Sequence, residues 1–237
     1  QQLAKLEKHL GGIDLLADCR RSLLSERDQL NQCLETLLKL QDSGKEAPQF
    51  FGDLKDKPHW FLGRNRVRIN EIYMKFSRHL IDSEARTINL EVAAEQTRYL
   101  EENKLKTDHL IASIAAIGLE PVARGFGDGQ SIVDLARIAC LLELHKLEDG
   151  SYPEKLAGLA GQLPTDPYSG KAYLYSRLPD AEKAGGYQLY GIGSNLKDDG
   201  GRIVLNEAGW VEDEEGDIVW RYSPPPTLLK IPKPGAN

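Results

Sequence analysis

Cysteine is scarce in this chain, and its distribution excludes a scaffold built on disulfide bonds. Only Cys19, Cys33 and Cys140 are present among 237 residues, and no two of them have CxxC spacing. Cys19 and Cys33 lie in one predicted helix, about 21 Å apart at 1.5 Å per residue, which is too far for a disulfide bond. The cysteines therefore do not decide the cellular compartment, and we expect them to be small buried apolar residues.

An excess of positive charge is absent as well. The 30 Lys and Arg residues are outnumbered by 36 Asp and Glu, which gives a formal net charge of -6 and an isoelectric point near 5.5. Because nucleic-acid surfaces need clustered Lys and Arg, this balance argues against a nucleic-acid partner. The one basic cluster, RNRVR from Arg64 to Arg68, is interpreted as the solvated first turns of a helix, with an anion or lipid-headgroup patch as the alternative.

Long apolar runs are also missing. No stretch of about 18 apolar residues occurs, so the sequence predicts no membrane-spanning helix within it. The chain starts QQLAKLEKHL without an initiator Met, which leaves open a signal or membrane anchor upstream of Gln1. With 41% apolar and 28% charged residues, the composition is that of an ordinary globular protein.

Helical periodicity is present throughout the first half of the chain. Between Ile13 and Leu40, apolar residues recur every seven positions, at Leu16, Leu23, Leu30 and Leu37. This predicts a long amphipathic helix that packs within its own bundle, with an intermolecular coiled coil as the alternative. After a predicted loop at 41–58, a second helix over 66–81 places its apolar residues on one face: Ile69, Ile72, Tyr73, Phe76 and Leu80.

The stretch GFGDGQS, from Gly125 to Ser131, is the best internal boundary in the sequence. Its three glycines lead into a predicted helix cap at Ser131, so we expect a helix break here and a new helix that runs to about Leu147. The predicted organisation is a helical domain at 1–125, an α+β module at 126–223 and a proline-rich tail at 224–237.

Beyond residue 171 the apolar period changes from that of a helix to two. Short aromatic and β-branched runs, separated by Gly, Pro and Asp, predict four strands: AYLYSRL (172–178), GYQLYGI (186–192), RIVL (202–205) and DIVWRY (217–222). A small antiparallel sheet packed on the preceding helix is the simplest arrangement. The predicted fold class is therefore α+β.

Four segments of the C-terminal third occur in an order typical of one family. They are the helix that ends in DGSYP, the hairpin DPYSGKAYLYS, the strand and loop GYQLYGIGSNLKDDGG, and the closing acid and strand in EEGDIVW. They resemble the soluble half of the major pseudopilin of type II secretion, over about Ala136 to Trp220. The resemblance implies a pseudopilin-like α+β module, although more than about a hundred mostly helical residues precede it here, as in uncharacterised bacterial envelope proteins that carry such a module.

The loop GIGSNLKDDGG is the only candidate site in the sequence. It does not fit a dinucleotide fingerprint, because Leu196 replaces the third glycine and acidic residues follow it. The resembling pseudopilins bind calcium here, which by the resemblance implies Ile192, Asn195 and Asp217 as ligands, with Asp198 and Asp199 compensating for the uncharged Asn195. The alternative is an acidic turn whose Asp and Asn side chains bond their own backbone.

No catalytic motif is present. The five histidines are scattered and none has HExxH spacing, and the chain contains no GxSxG. We therefore expect no catalytic residue, and either no cofactor or calcium.

The sequence and the resemblance together favour a noncatalytic bacterial envelope protein, periplasmic or anchored in the membrane. We expect it to act in assembly or scaffolding near a secretion or pilus-like system, through protein partners or self-association. The alternative is an enzyme or ligand-binding protein with a pocket between the helical part and the sheet.

Overall fold

The computed structural model describes residues 1–103, 106–178, 185–205, 207–208 and 211–223. The chain divides into two compact units. The helical unit comprises Asp14–Gln130 and Pro167–Gly170, and the sheet unit comprises Gln1–Ile13, Ser131–Asp166 and Lys171–Asn237. The predicted proline-rich tail, 224–237, lies outside the described residues.

The described elements are mostly helical. The helices are α1 (Gln2–Leu10), α2 (Leu15–Asp42), α3 (His59–Ile72), α4 (Arg78–Leu80), α5 (Leu90–Asn103), α6 (Leu110–Ala116) and α7 (Leu119–Asp149). The strands are β1 (Ile81–Asp82), β2 (Thr87–Ile88), β3 (Leu174–Leu178), β4 (Gly186–Gly191), β5 (Ile203–Leu205), β6 (Val211–Gly216) and β7 (Ile218–Tyr222). The predicted α+β fold class is confirmed.

Helix α2 matches the predicted long helix. Asp14 caps its start by accepting a hydrogen bond from the backbone N–H of Ala17 at 3.0 Å. Its buried stripe comprises Leu16, Cys19, Leu23, Leu34 and Leu37. Cys33, expected to be buried, is exposed. The stripe follows the helical period of 3.6 residues and not a strict seven-residue repeat, so the buried position shifts by one residue, to Leu34.

Helices α2 and α3 pack against each other, as the bundle interpretation predicts. Across their seam the side chains of Asn31 and Asn70 exchange two hydrogen bonds, of 2.9 and 2.8 Å. Nearby, Arg66 forms an ion pair with Glu35 at 2.9 Å. The predicted apolar face of the second helix is fully confirmed, since all five of its residues are buried: Ile69, Ile72, Tyr73, Phe76 and Leu80. A π-helical turn, Tyr73–Ser77, joins α3 to α4.

The predicted helix break at Gly125–Ser131 is wrong, because α7 runs through it without interruption. Gly127 allows close packing instead of a turn. A Cβ atom on Gly127 would lie 2.3 Å from Ile88 Cδ1 and 2.9 Å from Tyr168 Oη, so a larger residue fits there only if these side chains shift. Ser131 is buried inside the helix and does not cap it. The predicted domain boundary at 125/126 therefore falls within one helix.

The sheet unit is built on strands β3, β4 and β7, which form an antiparallel sheet in the order β3-β4-β7. Leu189 at its centre pairs with Tyr175 on one side and Trp220 on the other. The C-terminal half of α7 packs on this sheet, as predicted, through Leu135, Ile138, Ala139 and Leu142. The other buried residues of this core are Tyr152, Leu159, Tyr173, Tyr187 and Leu189.

The predicted turn residues of this unit also behave as expected. Gly150 has a φ of 78° and ends α7, as a glycine after a helix does.

Helical residues Leu110–Asp149 are apolar and long enough to cross a membrane by length and composition alone, a test that the core helix of a soluble protein also passes.

Candidate functional site

The candidate loop begins where β4 ends. Its backbone turns sharply because Gly193 and Leu196 both adopt positive φ angles, of 65° and 57°. A left-handed backbone conformation is costly for leucine, so the rest of the loop must stabilise Leu196 in this conformation. Two further glycines with positive φ, Gly200 at 72° and Gly201 at 74°, close the loop.

Asn195 and Asp198 bond the backbone of their own loop. Asn195 Oδ1 accepts the N–H of Lys197 at 2.9 Å, and Asp198 Oδ1 accepts the N–H of Gly200 at 3.0 Å. Both contacts span two residues, which is the geometry of an Asx turn. Asp198 also accepts a hydrogen bond from the Tyr190 hydroxyl at 3.1 Å, which links the loop to β4.

Asp217 is brought to this loop by the hairpin of β5 and β6. Ile203 pairs with Gly216 across the hairpin, and the backbone N–H of Asp217 donates to the carbonyl of Arg202 at 2.9 Å. The carboxylate then reaches back into the loop: Oδ2 accepts the N–H of Gly201 at 2.7 Å, and Oδ1 accepts the N–H of Asp199 at 3.4 Å. Asp217 thus fastens the end of the loop to the start of β7.

Burial governs the electrostatics of Asp217. The residue is only 4% exposed, and this desolvation raises the pKa of its carboxyl above the usual value. The two backbone N–H groups oppose the shift because they stabilise the charged form. The nearby carboxylates of Asp199 and Asp198 raise the pKa further by repulsion.

The structure brings most of the predicted site residues together. Asn195 Nδ2 donates to Asp199 Oδ2 at 3.1 Å, and the backbone of Asp199 in turn contacts Asp217. Asp198 points toward Tyr190. Ile192, whose carbonyl was the predicted loop ligand, directly follows β4.

The donor set is a poor match to a preformed calcium site. Calcium needs six to eight oxygen ligands, but both oxygens of Asp217, Oδ1 of Asn195 and Oδ1 of Asp198 already accept N–H groups of the loop. In the described part of the chain, no three His, Cys, Asp or Glu side chains are grouped so as to hold a metal ion. This geometry favours the self-bonded acidic turn, and calcium binding stays a prediction.

Sequence reasoning missed strand β6, which places Asp217 in the loop. Its sequence is VEDEEG, and acidic residues are depleted in strands, so periodicity and propensity gave no signal. Gly216 does provide a signal for this strand. Its φ is 79°, and a Cβ atom at this position would lie 2.7 Å from the carbonyl oxygen of Arg202. A glycine directly before the acid therefore marks the close approach of two backbones.

Apart from the exposed His59, whose Nε2 lies 3.2 Å from Asp42 Oδ1, two histidines contact carboxylates elsewhere in the fold. His109 Nδ1 lies 3.0 Å from Asp108 Oδ1, and this bond holds the pKa of Asp108 below its usual value. His145 Nδ1 lies 2.9 Å from Asp149 Oδ2 at the end of α7. Both contacts lie at helix ends, where charged side chains commonly pair, and we assign neither a catalytic role.

Helix α6 presents an apolar outer face. Leu110, Ile114 and Ile117 are 42%, 63% and 62% exposed, at spacings of four and three residues that place them on one side. No charged residue occurs between Leu110 and Leu119. The first charges beyond are Glu120 and Arg124, which pair with each other.

Comparisons of the chain with protein-family models, with curated proteins and with solved structures find no match.

Proposed function

We propose that this protein is a noncatalytic assembly or scaffolding protein of the bacterial cell envelope, with a pseudopilin-like sheet unit that acts near a secretion or pilus-like system. The proposal is supported by the order of the segments in the sheet unit. The helix that ends at Gly150 and the strands β3, β4 and β7 occur along the chain in the order of the segments on which the resemblance is based.

The core of the sheet unit is consistent with a structural role. Aromatic side chains fill the space between α7 and the sheet: the rings of Tyr152 and Tyr187 lie 4.9 Å apart edge to face, and those of Tyr187 and Tyr222 lie 5.7 Å apart. The hydroxyl of Tyr152 donates to Glu143 on α7 at 2.7 Å, so its polar end is satisfied. Such packing gives a rigid module suited to protein contacts.

The observation that carries the proposal is the apolar face of α6. Single exposed apolar residues are normal, but a row of three on one uncharged helical face is typical of a protein-binding surface. Leu110, Ile114 and Ile117 form that row. A partner that covers them gains hydrophobic free energy of about 25 cal/mol for each Å² of apolar surface removed from water. We assign this face to a protein partner, with a second copy of the chain as the first to be tested.

The test replaces Ile114 and Ile117 with lysine. Both are largely exposed, so the double variant should fold, while two charges on the face should abolish association. Sedimentation velocity of the purified chain measures self-association, and a photo-crosslinker at Leu110 in the envelope fraction of the native cells detects another protein partner. The matched control is L147K, because Leu147 is 74% exposed in the sheet unit.

We expect association or crosslinked adducts in the wild type and in L147K, and neither in the double variant. A wild-type chain that stays monomeric and gives no adduct would contradict the proposal. Adducts that survive the double substitution would show that the α6 face is not the contact.

A further inference from the structure

The helical unit contains a cavity of about 300 Å³ with a predominantly polar lining. It lies where α2, α4 and the turn between β1 and β2 approach one another, and its basic lining residues are Arg20, Arg78 and His79. Ser83 and Asn89 contribute neutral polar groups to the same cavity. This volume is at the lower end for ligand pockets and suits a small polar group.

Arg20 is positioned for binding but not neutralised. Its Nη1 donates to the hydroxyl oxygen of Ser83 at 2.8 Å, which orients the half-buried guanidinium. A hydroxyl carries no charge, so the positive charge of Arg20 remains. The planar guanidinium has five N–H donors, and this bond occupies one of them.

Arg78 and His79 are also without an anionic partner. Within the ranges that the structure describes, neither side chain makes an ion pair or a side-chain hydrogen bond. Other arginines of the same unit behave differently. Arg21 pairs with Asp18, Arg27 with Asp28, Arg66 with Glu35 and Arg68 with Glu71. The cavity thus brings together two arginines and a histidine for which the described residues supply no ion pair.

The lining also contains two acidic residues, Asp82 and Glu84, and neither is neutralised by an ion pair among the described residues. Asp82 Oδ1 accepts the backbone N–H groups of Glu84 and Ala85, each at 2.9 Å, and so closes the turn between β1 and β2. Glu84 is exposed. Asn89 Oδ1 accepts the backbone N–H of Glu91, in the first turn of α5, at 3.1 Å. The N-terminal end of that 14-residue helix adds to the positive electrostatic potential at the cavity.

We propose that this cavity binds a phosphate group, either as inorganic phosphate or as the terminal phosphate of a larger molecule. Arg20 and Arg78 supply charge-assisted hydrogen bonds to its oxygens, and His79 and the Ser83 hydroxyl supply further donors. The proposal is independent of the assembly function, because it concerns α2 and α4 and not the α6 face.

Isothermal titration of the full chain with inorganic phosphate tests the proposal, with sodium chloride held constant. R78A is the principal variant, since Arg78 is exposed and its side chain makes no hydrogen bond or ion pair with the described residues. We expect R78A and R20A each to weaken phosphate binding by about tenfold, the usual effect of losing one charge-assisted hydrogen bond. Circular dichroism melts without phosphate show whether R20A remains folded.

Two more variants make the outcome decisive. R21A removes an equal charge from the same helix, outside the cavity, and should leave binding unchanged. E84Q removes a negative charge from the lining and should strengthen binding. Wild-type protein that fails to bind phosphate, equal weakening by R21A, or weaker binding in E84Q would overturn the proposal.

A parallel arm distinguishes free from lipid-bound phosphate. The chain is sedimented with phosphatidylcholine vesicles that do or do not contain phosphatidic acid. Pelleting that depends on phosphatidic acid and is lost in R78A would assign the cavity to a lipid headgroup. Phosphate binding in solution without such pelleting would assign it to a soluble phosphate.

Discussion

Asp217 lies between β6 and β7, and both of its carboxylate oxygens accept backbone N–H groups from the candidate loop. The bonds hold Gly201 and Asp199, two residues that are 16 and 18 positions away in the chain. One side chain therefore replaces the backbone pairing that a continuous strand would provide. Asp217 is only 4% exposed, so its carboxylate is largely shielded from water. A backbone N–H that loses its acceptor in such a place cannot bond to water instead, and this loss lowers the stability of the fold.

We expect the substitution Asp217→Ala to lower the free energy of unfolding by about 2–3 kcal/mol, because it leaves two amide N–H groups of the loop without an acceptor. Urea denaturation followed by circular dichroism measures the change. Asp199→Ala is the control: Asp199 is less buried, and its carboxylate contacts only Asn195 among the bonds described, so the loss should be smaller. Equal losses in the two variants would contradict the role given to Asp217.

The same residue makes stability depend on pH. Because burial raises the folded-state pKa of Asp217, the folded chain holds its proton more tightly than the unfolded chain does. This contribution to stability is present below the usual pKa of aspartate, about 3.9, and is lost as pH rises through the raised value. Asp217→Asn cannot titrate, so its stability should fall less than that of the wild type over this range. Parallel pH profiles would count against the shift.

At the scale of elements, α7 shows that glycine can mark either a helix end or a close contact inside a helix. Gly150 ends the helix with a positive φ, whereas Gly127 lies within it. Tyr168 packs over Gly127, and its hydroxyl bonds the carbonyl of Arg124 at 3.0 Å and Asp128 Oδ1 at 2.6 Å. These bonds anchor the tyrosine on a helical surface that only glycine leaves open.

Alanine at two glycines of α7 should have opposite effects. Gly127→Ala places a methyl group against Ile88 and Tyr168 and should destabilise the protein by about 1–3 kcal/mol, although alanine is the better helix former. Gly125→Ala is the matched control, since no atom lies within 4 Å of its added Cβ, and it should stabilise by about 0.5–1 kcal/mol. Thermal and urea melts measure both. Stabilisation by Gly127→Ala would contradict this prediction, because it would show that Ile88 and Tyr168 move aside at little cost.

Elements with strong local patterns could be predicted from the sequence. Helix α2, the apolar face of α3 and the strands β3, β4, β5 and β7 all have a clear period of 3.6 or 2 in their apolar residues. The failures have one physical cause, since in each the deciding contact is made with a residue outside the segment itself. Gly127 is glycine because of Tyr168, 41 positions away, and β6 is a strand because it pairs with β5. The secondary-structure propensity of a short segment does not reflect such contacts.

The sequence predicted the residues of the candidate site better than it predicted the hydrogen bonds that they form. The sequence identified Asn195, Asp198, Asp199 and Asp217, and the structure gathers them around one loop. The sequence also allowed an acidic turn bonded to its own backbone, but it did not decide between this turn and a calcium site, because the choice depends on the positive φ of Gly200 and Gly201. The cavity beside Arg20 and the outer face of α6 were not predicted at all, since both require helices that are separated in sequence to be packed.

At the scale of the whole molecule, the response of stability to calcium decides between the two interpretations of the loop. The chain carries a net charge of -6, so any cation can relieve some repulsion, and a comparison with magnesium is needed to separate screening from binding. A ligand that binds only the folded state raises its stability by RT ln(1 + [L]/Kd), so a real site shows a melting temperature that climbs with calcium. Because the oxygens of Asn195, Asp198 and Asp217 already accept hydrogen bonds, we expect melting curves in EDTA, millimolar magnesium and millimolar calcium to coincide. A rise of several degrees with calcium alone, absent in Asp217→Asn, would show instead that the loop exchanges these bonds for a metal ion.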